Sequence, residues 1–269
     1  MPLHFSKRYL QENPWFSFRA GALVILLILV LLFSLSCSGK KEVKPDETFD
    51  PEKSIPRASD LIDNKEYEDA RRILLEVKNR DLTKKYAPLA QLKIADSYVK
   101  EEEYDLAVEE YKKFLEMYPD HKDASYAQYQ LAMAYFVQIE SPERGYGAAL
   151  KALEQFEKLK RMYPRNPYRE VIELRIDKCK TTMADYEFTV AEFYFNKGSY
   201  QSALGRFKQV LTKFPDYKKE PLVLYQLALS YKKLGDKDKT AEYLNRLIAK
   251  YPDDKLAKQA QKELISLTK

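Results

Sequence analysis

The stretch AEFYFNKGSYQSALGRFKQVLTKFP, Ala191–Pro215, decides the fold. An alanine and a tyrosine three residues apart, Ala191 and Tyr194, open it. Gly198 interrupts the pattern, and Ala203 and Phe207 then repeat it at helical spacing. Phe214-Pro215 closes the segment, because proline lacks an N–H and its ring clashes with the turn before it. Small residues let two helix backbones approach while large rings fill the space beside the crossing. The stretch therefore predicts two antiparallel helices joined at Gly198. The six rings of Asp185–Tyr200 then belong mostly to helix packing and require no cofactor.

The pattern recurs along the 269-residue chain. Aromatic-proline pairs stand at Tyr118-Pro119, Tyr163-Pro164, Phe214-Pro215 and Tyr251-Pro252. Counting back from each proline, Ala95, Ala191 and Ala228 fall 24 residues before it, and Tyr98, Tyr194 and Tyr231 fall 21 before it. Twelve before it stand Ala107, Ala152, Ala203 and Thr240; eight before it stand Tyr111, Phe156, Phe207 and Leu244. Gly198 and Gly235 share the turn position. Small-xx-aromatic, then Ala-xxx-aromatic, then a closing proline is the tetratricopeptide pattern. The expected fold is all-α: an α-solenoid of about five tetratricopeptide helix pairs plus a C-terminal capping helix.

The first pair, about Ser54–Leu82, lacks a closing proline. The second covers Tyr86–Asp120 and the third Asp123–Arg165, where eight extra residues, including ESPERGYG, are expected to lengthen the internal turn. Tyr168–Phe195 has no Pro or Gly and predicts one helix of about 28 residues, near 40 Å long. The fourth pair follows from it, and the fifth runs from about Tyr217 to Tyr251. Leu256, Ala260, Leu264 and Leu267 give the last helix an apolar stripe, as a terminal cap requires.

The N-terminus reads as a targeting segment. Lys7, Arg8 and Arg19 precede the apolar run Ala20–Phe33, 14 residues long and short of the roughly 20 that span a bilayer. The run leads to Ser36-Cys37, which resembles a bacterial lipobox with Ser34 where leucine is usual. Residues 1–36 are read as a lipoprotein signal peptide, Cys37 as the lipidated residue, and 37–53 as a flexible tether within the three-proline segment Ser38–Pro56. Residues 54–269 form the repeat domain, with N-terminal repeats in 54–165 and the bridging helix and C-terminal repeats in 166–269. An uncleaved single-pass anchor is the alternative for the first segment.

Composition narrows the function. Forty-six Lys+Arg against 41 Asp+Glu leave no basic stripe for nucleic acid. Neither G-x-x-x-x-G-K-[ST] nor H-E-x-x-H occurs. His121 is expected to be a solvated turn residue, and Cys179 a structural thiol. No metal site and no cofactor are expected beyond the covalent lipid on Cys37, and the protein is read as a non-enzyme. Twenty-one tyrosines exceed what the repeat positions consume. Tyr126, Tyr129, Tyr186 and Tyr225 fall on first helices, which line the concave side of such solenoids, and tyrosine suits peptide recognition.

Cys37-Ser38-Gly39 with its charged tether, five repeats with an insertion in the third, and a long helix leading into YEFTVAEFYFNKGSYQSALGRFKQVLTKFPD (Tyr186–Asp216) together resemble the BamD family of outer-membrane assembly lipoproteins. The resemblance covers about Cys37–Lys250. It implies a scaffold held by lipid to the periplasmic face of the outer membrane of a diderm bacterium. The implied partners are the barrel-forming protein BamA, gripped by the C-terminal repeats, and unfolded outer-membrane proteins received by the N-terminal repeats. By position it implies Arg206 as a BamA contact, and Tyr98, Tyr126 and Tyr129 as a groove for substrate peptide. The competing reading is a periplasmic tetratricopeptide adaptor for cell-envelope or division enzymes. Mass spectrometry of the mature protein from membranes should find an acylated N-terminal Cys37; an intact Met1–Lys40 region would contradict this.

Overall fold

The computed structural model describes residues 49–267, and these build eleven helices in a single file. The expectations for residues 1–48, including lipidation at Cys37, lie outside the described residues. The helices are α1 (Pro51–Asp63), α2 (Tyr67–Arg80), α3 (Ala87–Lys100), α4 (Tyr104–Met117), α5 (Ala124–Phe136), α6 (Pro142–Met162), α7 (Arg169–Asn196), α8 (Tyr200–Lys213), α9 (Glu220–Lys233), α10 (Lys237–Lys250) and α11 (Lys255–Leu267). Each packs on the next, and first helices also touch along the array, α1 with α3 and α9 with α11. The fold is the expected one, five helix pairs and a capping helix.

The register read from the prolines is the register of the core. Ala95, Ala107 and Tyr111 meet in the second pair, Ala132, Ala152 and Phe156 in the third, and Ala191, Ala203 and Phe207 in the fourth; all nine are 0% exposed. Ala58, Ala70 and Leu74 repeat the arrangement in the first pair, and Ala228, Thr240 and Leu244 in the fifth, each at most 1% exposed. A methyl at the crossing lets the backbones close while the ring or Leu fills the flank.

Helix ends follow the same repetition. Tyr118, Tyr163, Phe214 and Tyr251 are the C-caps of α4, α6, α8 and α10, with φ between −135° and −129° and ψ between 54° and 68°. The following proline excludes the α conformation at each of them. Pair one ends differently. Asp81 caps α2, and its carboxylate accepts from the hydroxyl and N–H of Thr83 and from the N–H groups of Tyr86 and Ala87. Those bonds, the Thr83 hydroxyl foremost, hold the Asp81 carboxyl below the usual carboxylate range and fix the entry to α3. Gly198 and Gly235 turn the chain at φ of 77° and 79°, a region that costs a side chain about 1 kcal/mol.

Two expectations are corrected. The tether is expected to reach residue 53, within a segment running to Pro56, but the chain is helical from Pro51 onward. Asp50 caps α1 by accepting from the Glu52 N–H at 3.0 Å, Pro51 supplies a preset φ at the first position, and Pro56 sits exposed in the second turn. The insertion in pair three lengthens a helix far more than the turn, whose five residues compare with three in each of the other pairs. The connection is only 137–141, while α6 has 21 residues against 14 for α4, α8 and α10. The reason is tertiary. α7 is 28 residues long, and the extra turns of α6 cover it, with the Tyr146 ring 5.0 Å from that of Tyr186.

The two glycines of this extension test the packing. Gly147 faces open space, so Gly147→Ala should stabilise by about 0.5–1 kcal/mol, raising the melting temperature by about 1–4 °C. At Gly145 an added Cβ would meet Ile139 Cγ2 at 3.0 Å, so Gly145→Ala should give no gain. Equal gains at both positions in calorimetry would contradict the close seating.

Candidate functional site

Arg206 lies on α8 and reaches back to α7. Its Nη1 donates to Glu187 Oε2 at 2.9 Å, and the Glu187 side chain is 6% exposed against 40% for Arg206. The same tie appears twice more. Gln91 of α3 donates to the backbone oxygen and carboxylate of Glu110 on α4. Gln128 of α5 donates to the backbone and side-chain oxygens of Gln155 on α6. Glu110, Gln155 and Arg206 each stand nine residues before the closing proline. Gln91, Gln128 and Glu187 each stand four residues before the crossing alanine of their helix. Arg206 thus occupies a structural position of the repeat, filled here by a charge whose outer edge remains at the surface. Counting nine back from each closing proline and four back from each crossing alanine could have found the tie, since polar residues recur at both positions in pairs two to four.

Around this pair lies an aromatic surface. Tyr146 is near enough to sense both Glu187 and Arg206; burial, ahead of these charges, pushes its hydroxyl above the ordinary tyrosine range. It packs on Tyr186, which with Thr189, Val190, Phe193 and Tyr194 lines a shallow cavity of about 190 Å³ on α7. Phe193 is 57% exposed, and Lys197 Nζ lies 5.8 Å from its ring centre. An exposed apolar ring with a cation at its edge is what a protein contact uses.

The three groove tyrosines divide. Tyr98, on α3, faces the Arg71 guanidinium 4.2 Å from its ring centre; Arg71 in turn pairs with Glu101 at 2.6 Å. That ring belongs to the joint between pairs one and two. Tyr126, on α5, donates to Asp96 Oδ1 of α3 at 2.9 Å, and Tyr111 donates to the same oxygen at 2.5 Å. Burial raises the Asp96 carboxyl above its ordinary range against these two donors. Tyr129, three residues on, stacks on Tyr168 at 4.0 Å and 9° and accepts from Arg175 of α7 at 3.2 Å. Tyr126 and Tyr129 therefore share the face along which α3, α5 and α7 adjoin. Among the described residues no ring contact joins Tyr98 to either.

The remaining candidates are structural. Cys179 is 0% exposed, and burial pushes its thiol up to about 12. His121 is not the solvated turn residue expected: it is half-buried, edge-on to Phe114 at 5.7 Å, and its Nδ1 accepts from the Asp123 N–H. Among the described residues no helix is long and apolar enough to cross a membrane.

The profile of the YfiO family, described as an outer membrane lipoprotein, matches residues 53–244. The chain belongs to this family. Two curated relatives are named outer membrane protein assembly factor BamD. That of Rickettsia prowazekii is 26% identical over 237 residues, covering 87% of this chain and 92% of the relative. That of Neisseria gonorrhoeae is 26% identical over 241 residues, covering 83% and 89%. Among solved structures, the TPR2AB domain of yeast Sti1 in complex with pHSP90 aligns at a TM-score of 0.44 and 14% identity, covering 80% of this chain and 84% of that one.

The repeated tie makes a specific prediction. Arg206→Glu alone sets two carboxylates together, one buried, and should cost about 2 kcal/mol, lowering the melting temperature by about 4–8 °C. Adding Glu187→Gln rebuilds the Gln–Glu arrangement of pair two and should restore most of the loss. A double variant no more stable than the single one would show that the positions are not equivalent.

Proposed function

We propose that this protein is a non-enzymatic scaffold of the machinery that assembles β-barrel proteins into the outer membrane. It is held there by lipid on Cys37 and faces the periplasm. The α7–α8 surface binds the BamA-like barrel-forming subunit, and the first-helix face of the preceding pairs receives unfolded outer-membrane proteins.

The observation that carries the reading is the Arg206–Glu187 pair, from which Tyr146 leads through Tyr186 to the shallow cavity lined by the exposed ring of Phe193. Glu187 locks the guanidinium in one orientation, so little side-chain entropy is lost when a partner's carboxylate meets its outer edge. Tyr146, Tyr186, Val190 and Phe193 supply rigid apolar area around that polar centre, the anatomy of an interface with a central anchor and a charged rim. The match of residues 53–244 to the family and the names of its curated relatives support the same role.

The rebuilt pair separates contact from stability. Affinity purification from native membranes should recover a large β-barrel protein with wild type. The Arg206→Glu/Glu187→Gln variant keeps the fold but reverses the charge offered to the partner, and should recover at least tenfold less. Undiminished recovery would defeat Arg206 as the contact. Recovery of peptidoglycan enzymes in place of a barrel protein would defeat the scaffold reading and favour the adaptor.

A further inference from the structure

The closing turns of pairs two to five share a proline but not a charge. Asp120, Asp216 and Asp253 follow the proline in pairs two, four and five, whereas Arg165 stands there in pair three. One residue further on, Asp254 accepts from the Leu256 N–H at 2.8 Å, and Asn166 accepts from the Tyr168 N–H at 2.9 Å in the same register. An amide thus makes in pair three the turn that a carboxylate makes in pair five. Residues 158–169 hold five cations, Lys158, Lys160, Arg161, Arg165 and Arg169, and no carboxylate. Lys160 pairs with Glu173 at 2.7 Å. The other four are exposed and take part in no ion pair among the described residues. Arg169 opens α7, where the helix dipole disfavours a cation, and Glu170 is the one acid of that first turn. The charge is a local cluster at one corner, not a stripe along the array.

Aliphatic side chains are exposed at the same end of these two helices. Met162, the last residue of α6, is 57% exposed; Val171 and Leu174, within about 8 Å of the start of α7 along its axis, are 39% and 73% exposed. Unpaired cations together with exposed aliphatic groups match the interface of a bilayer, where anionic headgroups take the charge and apolar groups enter the layer beneath. The array also begins at this edge. Its helices alternate in direction, so α1 starts where second helices end. Glu52, in the first turn of α1, accepts from the Tyr86 hydroxyl and pairs with Lys85 at 3.5 Å, both in the link after α2.

We propose that the α6–α7 corner, through Lys158, Arg161, Arg165 and Arg169 with Met162, docks on the anionic phospholipid surface of the membrane that anchors the protein. The proposal rests on the reading of Cys37 as lipidated and adds a second point of contact. Cys37 stands 13 residues before Asp50, a reach of at most about 45 Å. The tether keeps the edge near the surface, and the corner sets which way the array faces. Each cation near an anionic surface tightens the association about fivefold.

Hydrogen exchange read by mass spectrometry, on the full-length protein reconstituted into vesicles, tests the docking. Vesicles of phosphatidylcholine alone are compared with vesicles that also contain phosphatidylglycerol. Amides of residues 160–172 should exchange at least about fivefold more slowly on the anionic vesicles, while the aspartate turn 252–256 is unchanged. About 1 M salt, which screens charges beyond about 3 Å, should remove the difference. Arg165→Asp, which gives this turn the aspartate of the other three, combined with Arg161→Gln should also abolish it. Both residues are exposed, and an unchanged melting temperature establishes that the variant is folded. Equal exchange on the two vesicle types, or equal protection of 252–256, would overturn the corner and leave the anchor standing. Protection in native outer membranes but on neither vesicle would overturn it as well and assign the corner to a protein. Flotation reports the anchor separately: protein that floats only with anionic vesicles, with 160–172 protected, would uphold the corner and remove the anchor.

Discussion

The structure depends on the closeness that alanine permits where the two helices of a pair cross. Ala95 on Ala107, Ala132 on Ala152 and Ala191 on Ala203 are 0% exposed, and so are the rings of Tyr111, Phe156 and Phe207 beside them. A larger side chain at such a point would push the backbones apart and strand the ring against a void, at a cost of about 1–3 kcal/mol. A pair closed this way still has an apolar outer side, which only the next pair can cover. The core accordingly runs on from α5 through α9 as one cluster, and Leu256, Ala260 and Leu264 of α11 end the series by covering α9 and α10.

The candidate sites are departures from that repetition. The polar tie between first and second helices is Gln–Glu in pair two and Gln–Gln in pair three, both neutral donors held inside. In pair four it becomes Glu187–Arg206, which places a fixed cation at the surface. The lengthening of α6 and α7 departs in the same place, giving Tyr146 and Tyr186 their contact and leaving Phe193 uncovered. Arg175, within the same long helix, differs from the other two half-buried arginines: among the described residues it meets a tyrosine hydroxyl where they meet a carboxylate. Function, on this account, is written on side chains that also tie neighbouring helices together.

Much of this was legible in the sequence because the repeat states each constraint several times. Four aromatic-proline ends fixed the register, Gly198 and Gly235 fixed two turns, and the lack of Pro and Gly in Tyr168–Phe195 gave α7 to within a residue at each end. What escaped was stated only once or depends on a distant partner. Gly145 and Gly147 look like a turn, and only the length of α7 makes them helical. Pro51 and Pro56 look like a tether, and only the Asp50 cap and the burial of Ile55 and Ala58 turn them into α1. Periodicity placed Tyr126 and Tyr129 on one face, yet their partners Asp96 and Arg175 stand 30 and 46 residues away, beyond any local pattern. Arg206 carried a family resemblance, but its buried partner 19 residues back emerges only when the pairs are superposed.

The central claim is that the surface of α7 beside Arg206 is where the scaffold meets its barrel partner. Its most direct measurement is in-cell photo-crosslinking with a photoreactive amino acid in place of Phe193, whose exposure means that the replacement disturbs no core contact. The account predicts one dominant adduct with a large outer-membrane β-barrel protein, weakened when the charge at position 206 is reversed. Adducts with cell-wall enzymes instead, or a barrel adduct indifferent to Arg206, would contradict it.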